Sequence, residues 1–371
     1  MNAPVAPDVA PLPLSGRVTL EEVAELAGVS RATASRVING HPRVSNDARR
    51  AVERAAAQLG YVPNRAARSL VTRRSDSIGL VIPEPTPYLF ADPYFPHLVR
   101  GVSEALAERD VQLVLFMPQS RRDEHRLETY LAGGHVDGVL LVSLHDNDPL
   151  PQRLAKRGIP AVLGDRRFED ADLSYVDVDN RRGAMQAVVH LAEQGRQRIA
   201  HVAGPQDMVA GIDRLAGYRQ ALADVGLPHD PALEEAGNFT YPSGMAAMNT
   251  LLERCPDLDA VFAASDAMAL GAMAALREHG RRIPEDVAVV GFDDLELALT
   301  AEPPLSSVRQ PIESQGREMA RLLLRIIGSG DRTPTRVLLG TELVVRASSA
   351  GPGANPRGGA SAGGRSPEGL S

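Results

Sequence analysis

Apolar side chains recur at helical spacing three times within the first sixty residues, and polar turn residues separate the three stretches. The first stretch begins at Thr19, a favourable N-cap, and Glu22 three positions later completes a capping box. Its apolar stripe ends at Gly28 and comprises Leu20, Val23, Ala24 and Ala27. This spacing predicts a short amphipathic helix.

A second helix is predicted directly after a Gly-Val-Ser turn, with Ser30 as its N-cap. At about 3.6 residues per turn, one third of its circumference is occupied by Ala34, Val37 and Ile38. The opposite face carries Arg31, Ala32, Ser35 and Arg36. A third helix opens at Ser45 and stops at Gly60, with an apolar face of Ala48, Val52, Ala55, Ala56 and Leu59. Two short helices around a tight turn are typical of a helix-turn-helix, whose second helix enters a DNA major groove.

The rest of the chain alternates short apolar runs with stretches of helical length. The runs have the composition of buried parallel strands; they are SIGLVI, QLVLFM, DGVLLVS, PAVLGD, RIAHVAG, AVFAAS and VAVVGFDD. Helical stretches between them include 183–194, 214–225 and 267–279. Right-handed connections give doubly wound sheets, and about 270 residues is too many for one such sheet. We therefore predict a small all-α head and an α/β body of two doubly wound lobes.

Charge is divided unevenly between these two parts. Residues 17–75 contain eleven arginines and five acidic residues, a net charge of +6. The whole chain carries −7 and Asp8 is the one charged residue before position 17, so residues 76–371 carry −12. A basic head on an acidic body indicates a polyanion contact confined to the head. An ordinary solvated arginine-rich surface is the alternative, and the helix pattern argues against it.

Composition and motifs exclude several other classes of protein. No apolar run approaches the roughly 18 residues that span a bilayer, and residues 1–16 lack the features of a secretory signal. A single cysteine, Cys255, excludes an intramolecular disulfide and a multi-cysteine metal site. The sequence contains no P-loop, G-x-S-x-G or H-E-x-x-H motif. We expect a cytoplasmic protein that is not an enzyme, has no membrane partner and needs no metal and no cofactor.

Several segments, in this order, resemble the lactose/galactose-repressor (LacI/GalR) family of bacterial regulators. They are VTLEEVAELAGVSRATASRVING, YVPNRAARSL, SIGLVIPE, VDGVLLVS, RLAGYRQAL, SDAMALGAMAAL and VAVVGFDD before a Pro-Pro dipeptide, and the resemblance covers residues 17–346. It implies a body like a periplasmic binding protein, with chain crossovers near Asp177, Pro304 and Arg336. It also implies a homodimer on a palindromic double-stranded DNA operator, controlled by a small-molecule effector such as a sugar.

The resemblance implies DNA contacts throughout the head. The residues that match operator-reading positions at the start of the recognition helix are Arg31, Ala32 and Thr33, with Ser35 and Arg36 at further contact positions. Arginine can pair with two acceptors of guanine, whereas Ala32 can touch only a thymine methyl group. Thr33 could instead stabilise the first helical turn, and Ser35 could contact only phosphate. Further contacts are expected from Thr19, Ser30, Asn39, Tyr61, Asn64, Arg65 and Leu70.

The segment 64–70 follows Pro63 and could form two helical turns capped by Asn64. That is shorter than the roughly 12–15 residues that a helix needs for independent stability in water. We expect it to fold only on DNA, where the resemblance makes Leu70 a wedge between base pairs of the minor groove. A linker leucine that packs on the body is the alternative.

Ligands of doubly wound sheets bind at the carboxyl ends of the strands. Three polar residues, Asp165, Ser265 and Asp293, each end an apolar run, and Arg214 is expected to open the helix after RIAHVAG. All four match effector-contacting positions of the resembled family, and such side chains can hold sugar hydroxyls. Aromatic wall candidates are Tyr94 and Phe95, in the proline-rich loop PEPTPYLFADPYFP, and Phe239. A helix-capping Asp293 and a structural ion pair of Arg214 are the alternatives.

These patterns predict a disordered arm (1–16), a helix-turn-helix DNA-binding domain (17–63), a hinge helix and linker (64–76), a two-lobed effector-binding and dimerisation domain (77–348) and a disordered tail (349–371). We expect a ligand-responsive transcription regulator, most simply a repressor, with a sugar as its effector. A cytosolic solute-binding protein is the alternative function, and the basic head argues against it. The sequence leaves open whether the effector releases DNA or promotes its binding.

Overall fold

The computed structural model describes residues 18–41, 43–62, 74–145, 148–166 and 173–350. The chain divides into two compact units, with the boundary after Ser75. The predicted arm, the hinge segment 64–70 and the tail from residue 351 onward lie outside the described residues. Among the residues that are described, no helix is long and apolar enough to cross a membrane.

The first unit contains three helices: α1 (Leu20–Leu26), α2 (Arg31–Ile38) and α3 (Asn46–Leu59). At the start of α1, Thr19 Oγ1 accepts from the Glu22 N–H at 3.3 Å and the Glu22 carboxylate accepts from the Thr19 N–H at 2.7 Å, which is the predicted capping box. Helix α3 ends at Gly60, whose φ of 65° suits glycine. The buried core comprises Val23, Ala24, Ala34, Val37, Val52 and Ala55. The three predicted helices are confirmed.

The first lobe of the second unit is a six-stranded, all-parallel sheet. Its strands are β1 (Ser77–Val81), β2 (Gln112–Phe116), β3 (Gly138–Leu141), β4 (Ala161–Leu163), β5 (Ser174–Val178) and β11 (Arg336–Leu339), in the spatial order β11-β5-β4-β3-β1-β2. Its helices are α4 (Thr86–Ala91), α5 (Tyr94–Ala107), α6 (Arg121–Ala132), α7 (Leu150–Lys156) and α13 (Ile312–Ser329).

The second lobe repeats this plan with one reversed edge strand. Its strands are β6 (Ile199–Ala203), β7 (Glu234–Ala236), β8 (Ala260–Ala263), β9 (Ala288–Asp293), β10 (Ser306–Arg309) and β12 (Glu342–Val344), in the order β12-β10-β9-β8-β6-β7. All pairs are parallel except β10 with β12. The helices are α8 (Asn180–Glu193), α9 (Val209–Asp224), α10 (Tyr241–Arg254), α11 (Asp266–Glu278) and α12 (Glu296–Thr300), with a 3-10 turn at Pro231–Leu233.

Alternating residues of each central strand supply two cores, one on each face of the sheet. In β3, Leu140 packs with side chains of α5 and α13, whereas Leu141 packs with side chains of α6 and α7. In β9, Val289 packs with α10 and α11, whereas Val290 packs with α8 and α9. Burial on both faces explains why these strands are continuous apolar runs in the sequence. The fold class predicted from those runs is confirmed.

The chain passes between the lobes three times, from β5 to α8, from β10 to α13 and from β11 to β12. The first crossing lies beside the expected Asp177. The other two lie later than the expected Pro304 and Arg336, because β10 continues to pair with β9 as far as Arg309 and β11 with β5 as far as Leu339. The crossings end at one region, where the carboxyl ends of both sheets meet.

Candidate functional site

The outward face of α2 carries the arginines that the sequence assigned to DNA. Three residues, Arg31, Ala32 and Arg36, are exposed, whereas Ala34 is buried in the core of the head. Arg31 forms an ion pair with Glu21 of α1, and the two side chains remain 71% and 59% exposed. An exposed pair of this kind contributes little free energy. Arg31 can therefore exchange Glu21 for another anion or for a base edge.

The other polar residues of α2 have partners within the head. The Ser30 hydroxyl lies 2.9 Å from the Thr33 hydroxyl and accepts from the Thr33 N–H. Asn39 Nδ2 donates to the Ser35 carbonyl at 2.8 Å and to Ser35 Oγ at 3.3 Å. Tyr61 is half-buried and packs against the core of the head. These contacts stabilise the ends of the helix, which is the alternative role of Thr33.

Of the remaining predicted DNA contacts, one lies within the described residues and three lie outside them. Thr19 is exposed and caps α1. Asn64, Arg65 and Leu70 lie outside the described residues, so the hinge helix and its wedge stay predictions.

A cleft lies between the two lobes, at the carboxyl ends of their strands, and encloses about 550 Å³ of space that is partly open to solvent. All seven side chains predicted to contact an effector line it. The structure adds polar and aromatic lining residues that sequence analysis missed: Tyr88, Asp92, Ser143, Asn180, Gln310 and Gln315.

Arg214 is the central cation of this cleft. It lies in the second turn of α9, which begins at Val209, so the prediction that Arg214 opens the helix is wrong. Its side chain is buried, Nε donates to Asn180 Oδ1 at 2.9 Å and Nη1 donates to the Ala264 carbonyl at 2.5 Å. The guanidinium carbon lies 3.7 Å from the centroid of the Phe292 ring. These contacts fix the guanidinium at the floor of the cleft.

Asp293 ends β9 beside that guanidinium. Its Oδ1 lies 3.7 Å from Arg214 Nη1 and accepts from Gln310 Nε2 at 2.6 Å. Its φ of 112° is strained for a residue with a side chain, and such strain concentrates at ligand sites. Burial raises the pKa of Asp293 to about 7, although Arg214 favours the charged carboxylate. Asp293 does not cap a helix, because α12 begins at Glu296 with Leu295 at its N-cap.

Asp165 and Ser265 bring one polar group from each lobe to the cleft. Asp165 follows β4 of the first lobe. Burial raises the pKa of Asp165 to about 6, although the positive charge of Arg214 acts to lower it. Ser265 follows β8 of the second lobe and caps α11, with Oγ accepting from the Met268 N–H at 3.2 Å. A ligand that bonds to both residues would hold the two lobes together.

The aromatic wall differs from the prediction in one respect. Tyr94 and Phe239 are half-buried at the cleft, and Phe239 has a φ of 64°. Phe95 is only 3% exposed and packs edge-on against Tyr88 and Tyr94, with ring centroids 5.8 Å and 5.3 Å apart. Phe95 therefore mainly supports the wall. Its segment, predicted as a loop, forms α4 and the first turn of α5.

The amides that sequence analysis missed flank two of the crossings between lobes. Asn180 begins α8, and Gln310 and Gln315 lie on either side of the start of α13. Gln315 Nε2 donates to the carbonyls of Gly164 at 2.6 Å and Val176 at 3.1 Å. Adjacency to a crossing is the signal that could have found these residues, since their side-chain type alone indicates nothing.

Comparison with known proteins finds a match for each of the two units of the chain. Residues 19–64 match the model of bacterial regulatory proteins of the lacI family, and residues 188–349 match the periplasmic binding protein-like domain. The HTH-type transcriptional regulator CelR of Thermobifida fusca is 56% identical over 90% of this chain and 98% of its own length. The HTH-type transcriptional repressor CytR of Escherichia coli K12 is 34% identical over 89% of this chain and 96% of its own.

Two solved structures show the same architecture. A complex of the transcriptional regulator CelR with cellobiose has a TM-score of 0.72 at 54% identity and covers 90% of this chain and all of that one. The lac repressor dimer bound to operator and the anti-inducer ONPF has a TM-score of 0.79 at 30% identity, covering 90% and 99%. The chain accordingly belongs to the LacI family of bacterial transcriptional regulators.

Proposed function

We propose that this regulator is a sugar-responsive repressor, a homodimer whose heads bind a palindromic operator and whose clefts bind the effector. The observation that carries the proposal is that one chain combines an arginine-bearing recognition helix with an acid-lined cleft between two lobes. The protein acts on DNA in the cytoplasm and carries out no chemical conversion.

Operator reading is assigned to the exposed side of α2. Arg31 and Arg36 are long, permanently charged donors that can pair with guanine O6 and N7, each such pair discriminating by about 1–3 kcal/mol. Ala32 lies between them in the sequence of the helix, and its methyl group can make an apolar contact with the methyl group of a thymine. Leu70 is the proposed minor-groove wedge.

The cleft suits an uncharged molecule rich in hydroxyl groups. Among the described residues that line it, three are carboxylic acids, Asp92, Asp165 and Asp293, and one is a guanidinium, Arg214, so the cleft offers no surplus of cations for an anionic ligand. Carboxylates and amides hold sugar hydroxyls by hydrogen bonds, and Tyr94 offers an apolar ring face. Because a relative with 54% identity has been solved as a complex with cellobiose, a β-linked glucose disaccharide is the first effector to test.

Effector binding is coupled to DNA binding through the lobes. Asp165 belongs to the first lobe, whereas Ser265 and Asp293 belong to the second, so a ligand bonded to all three favours the closed arrangement. A ligand shifts such an equilibrium only by its difference in affinity for the two states. Closure changes the spacing of two heads across a dimer, and operator affinity changes with it.

The test begins with selection of duplexes from a randomised library by the full-length protein. We expect recovery of a twofold-symmetric sequence, bound in anisotropy titrations with an affinity that falls steeply as salt is raised. A cytosolic solute-binding protein would instead bind cellobiose and select no duplex. Recovery of no preferred sequence, at any salt concentration and with or without sugar, would contradict the proposal.

A further inference from the structure

His97, on α5 of the first lobe, contacts one carboxylate from each lobe. Its Nδ1 lies 3.1 Å from Glu313 Oε1 of α13, in the same lobe, and its Nε2 lies 3.1 Å from Glu296 Oε2 of α12, in the second lobe. A neutral imidazole has one N–H donor, whereas the imidazolium has two. Both hydrogen bonds to ionised carboxylates therefore form only when His97 is protonated. Burial acts to lower the pKa of His97, but the hydrogen bonds to Glu313 and Glu296 raise it.

His145 has the same arrangement at the rim of the cleft, two residues after the lining residue Ser143. Its Nδ1 lies 2.7 Å from Asp207 Oδ2 of the second lobe, and its Nε2 lies 3.6 Å from Glu84 Oε1 of the first. Glu84 and Asp207 raise the pKa of His145 to about 9, so the ring is charged at neutral pH. We call His97 and His145, each with its two carboxylates, the interlobe bridges.

The charged groups around the two bridges carry both signs. The groove beside His145 is also lined by Glu124, His125, Asp148 and Arg153. The depression beside His97 is also lined by Asp293, Asp294 and Arg309. The arginines in these two places pair with acids: Arg153 with Glu128, Arg309 with Asp294 and Arg100 with Glu313. Arginine keeps its charge up to a pH of about 12, so the bridges change charge through their histidines.

We infer that the interlobe bridges are proton-dependent clasps, which favour the closed arrangement of the lobes while His97 and His145 are charged. A histidine whose pKa is higher in the closed arrangement favours closure at low pH and loses this effect as the pH rises through the closed-state value, about 9 for His145. The consequence for the effector rests on the proposed function: a ligand of the closed state binds more tightly at low pH. Another contact between the lobes, Arg166 Nη2 to Asp213 Oδ1 at 2.6 Å, does not depend on a histidine.

The experiment measures the distance between the lobes in full-length protein without ligand. Spin labels at Lys156→Cys of α7 and Ala223→Cys of α9, both exposed positions, report on the first and the second lobe. The buried Cys255 stays unlabelled, and an excess of unlabelled protein isolates distances within one chain. We expect two distances by double electron–electron resonance. The ratio of their populations should change about threefold to tenfold between pH 6 and pH 9.5, because one partly exposed ion pair is worth a factor of about two to five.

The matched variant is Asp207→Asn combined with Glu296→Gln, which removes the second-lobe carboxylate from both bridges and leaves both histidines. These two side chains are 57% and 72% exposed, so the fold should be kept. We expect the variant at pH 6 to resemble wild type at pH 9.5, and its population ratio to change with pH by about twofold at most. His125→Gln, in the groove beside His145, should respond to pH as wild type does. Identical wild-type distances at both pH values, or a double variant that responds as wild type does, overturn the inference.

Calorimetric titration with cellobiose tests the consequence for the effector. Asp165 and Asp293 in the cleft also titrate, but they do so in wild type and in the double variant alike, so comparison of the two proteins isolates the bridges. The ratio of the Kd at pH 9.5 to the Kd at pH 6 should be about threefold to tenfold larger in wild type. Equal ratios overturn the link between the bridges and the effector. A wild type whose lobe distance responds to pH but which binds no cellobiose supports the clasps and contradicts the proposed effector class.

Discussion

At the scale of single residues, the cleft places charge where folding disfavours it. Asp293 is buried at a strained φ of 112°, and its pKa rises from 3.8 to about 7. An acid whose pKa rises on folding holds its proton more tightly in the folded state, so folding loses stability as the pH rises from about 4 to about 7. Such a residue lowers stability at neutral pH, which is expected of the ligand-binding role that we propose for Asp293.

We therefore predict that Asp293→Asn melts at a higher temperature than wild type at pH 8. The neutral amide can still accept from Gln310 and carries no buried charge, so a rise of about 2 °C or more is expected, shrinking towards zero as the pH approaches 4. The measurement is thermal unfolding of both proteins from pH 4 to pH 8. A lower melting temperature for the variant at pH 8 would show that the ion pair with Arg214 outweighs the cost of burial.

A second prediction at the scale of single residues concerns the role of Arg31 in reading the operator sequence. Arg31→Ala should remove discrimination of about 1–3 kcal/mol at one base pair of each half-site. Arg50→Ala is the matched control, because Arg50 is an exposed arginine of α3 that pairs with Asp47. The control should weaken binding about equally on every sequence. Identical base preferences of wild type and Arg31→Ala across a randomised operator library would remove the role assigned to Arg31.

From the sequence, the placement of residues at the cleft could be predicted where the fold dictates their position, whereas their contact with an effector stays a prediction. Asp165, Ser265 and Asp293 end buried strands, and the ends of parallel strands meet at one edge, so all three line the cleft. Gln310 and Gln315 were missed because their placement depends on where the chain crosses between lobes. No apolar pattern marks that crossing.

At the scale of elements, strands that form apolar runs were predictable, including β2 at a sheet edge, whereas strands with a more polar composition were not. The seven apolar runs form β1 to β4, β6, β8 and β9. The strands β5, β7, β10, β11 and β12 each contain polar or charged residues, as in EEA for β7. Helix α4 was missed for another reason: Pro87 lies in its first turn, where a missing N–H costs nothing, so a proline-rich segment is compatible with a helix.

One contact between loops of the two lobes predicts a pH dependence. His145 Nδ1 lies 2.7 Å from Asp207 Oδ2 of the second lobe, and Nε2 lies 3.6 Å from Glu84 Oε1 of the first. These carboxylates raise the pKa of His145 to about 9, with the nearby Glu84 carboxylate as the main cause and Asp207 as a further one. The contribution to stability is therefore complete below pH 6.5 and is lost as the pH rises through about 9.

We predict that His145→Gln lowers the melting temperature at pH 6 by about 1–3 °C, a small effect because the pair is partly exposed. The difference from wild type should vanish near pH 10. The exposed His125 of the same lobe is the control, since His125→Gln should follow wild type at every pH. A pH-independent difference for His145→Gln would mean that the side chain contributes packing and no charge.

At the scale of the whole molecule, the two main features are the division of charge between head and body and the two lobes of the body. The positive head is suited to a polyanion, and the acidic body keeps that contact confined to the head. Sequence alone was sufficient for this division and for the two-lobed body. The hinge 64–70 stays a prediction, because these residues lie outside those that the structure describes.

Our central claim is that a sugar bound in the cleft controls the affinity of the head for operator DNA. The most direct measurement is an anisotropy titration of the selected symmetric duplex with wild type and Asp293→Ala, each with and without saturating cellobiose. We predict that cellobiose changes the operator Kd of wild type by about fivefold or more and leaves that of Asp293→Ala unchanged. An operator Kd that is the same with and without sugar in wild type, under conditions where calorimetry shows the cleft to be occupied, would contradict the claim.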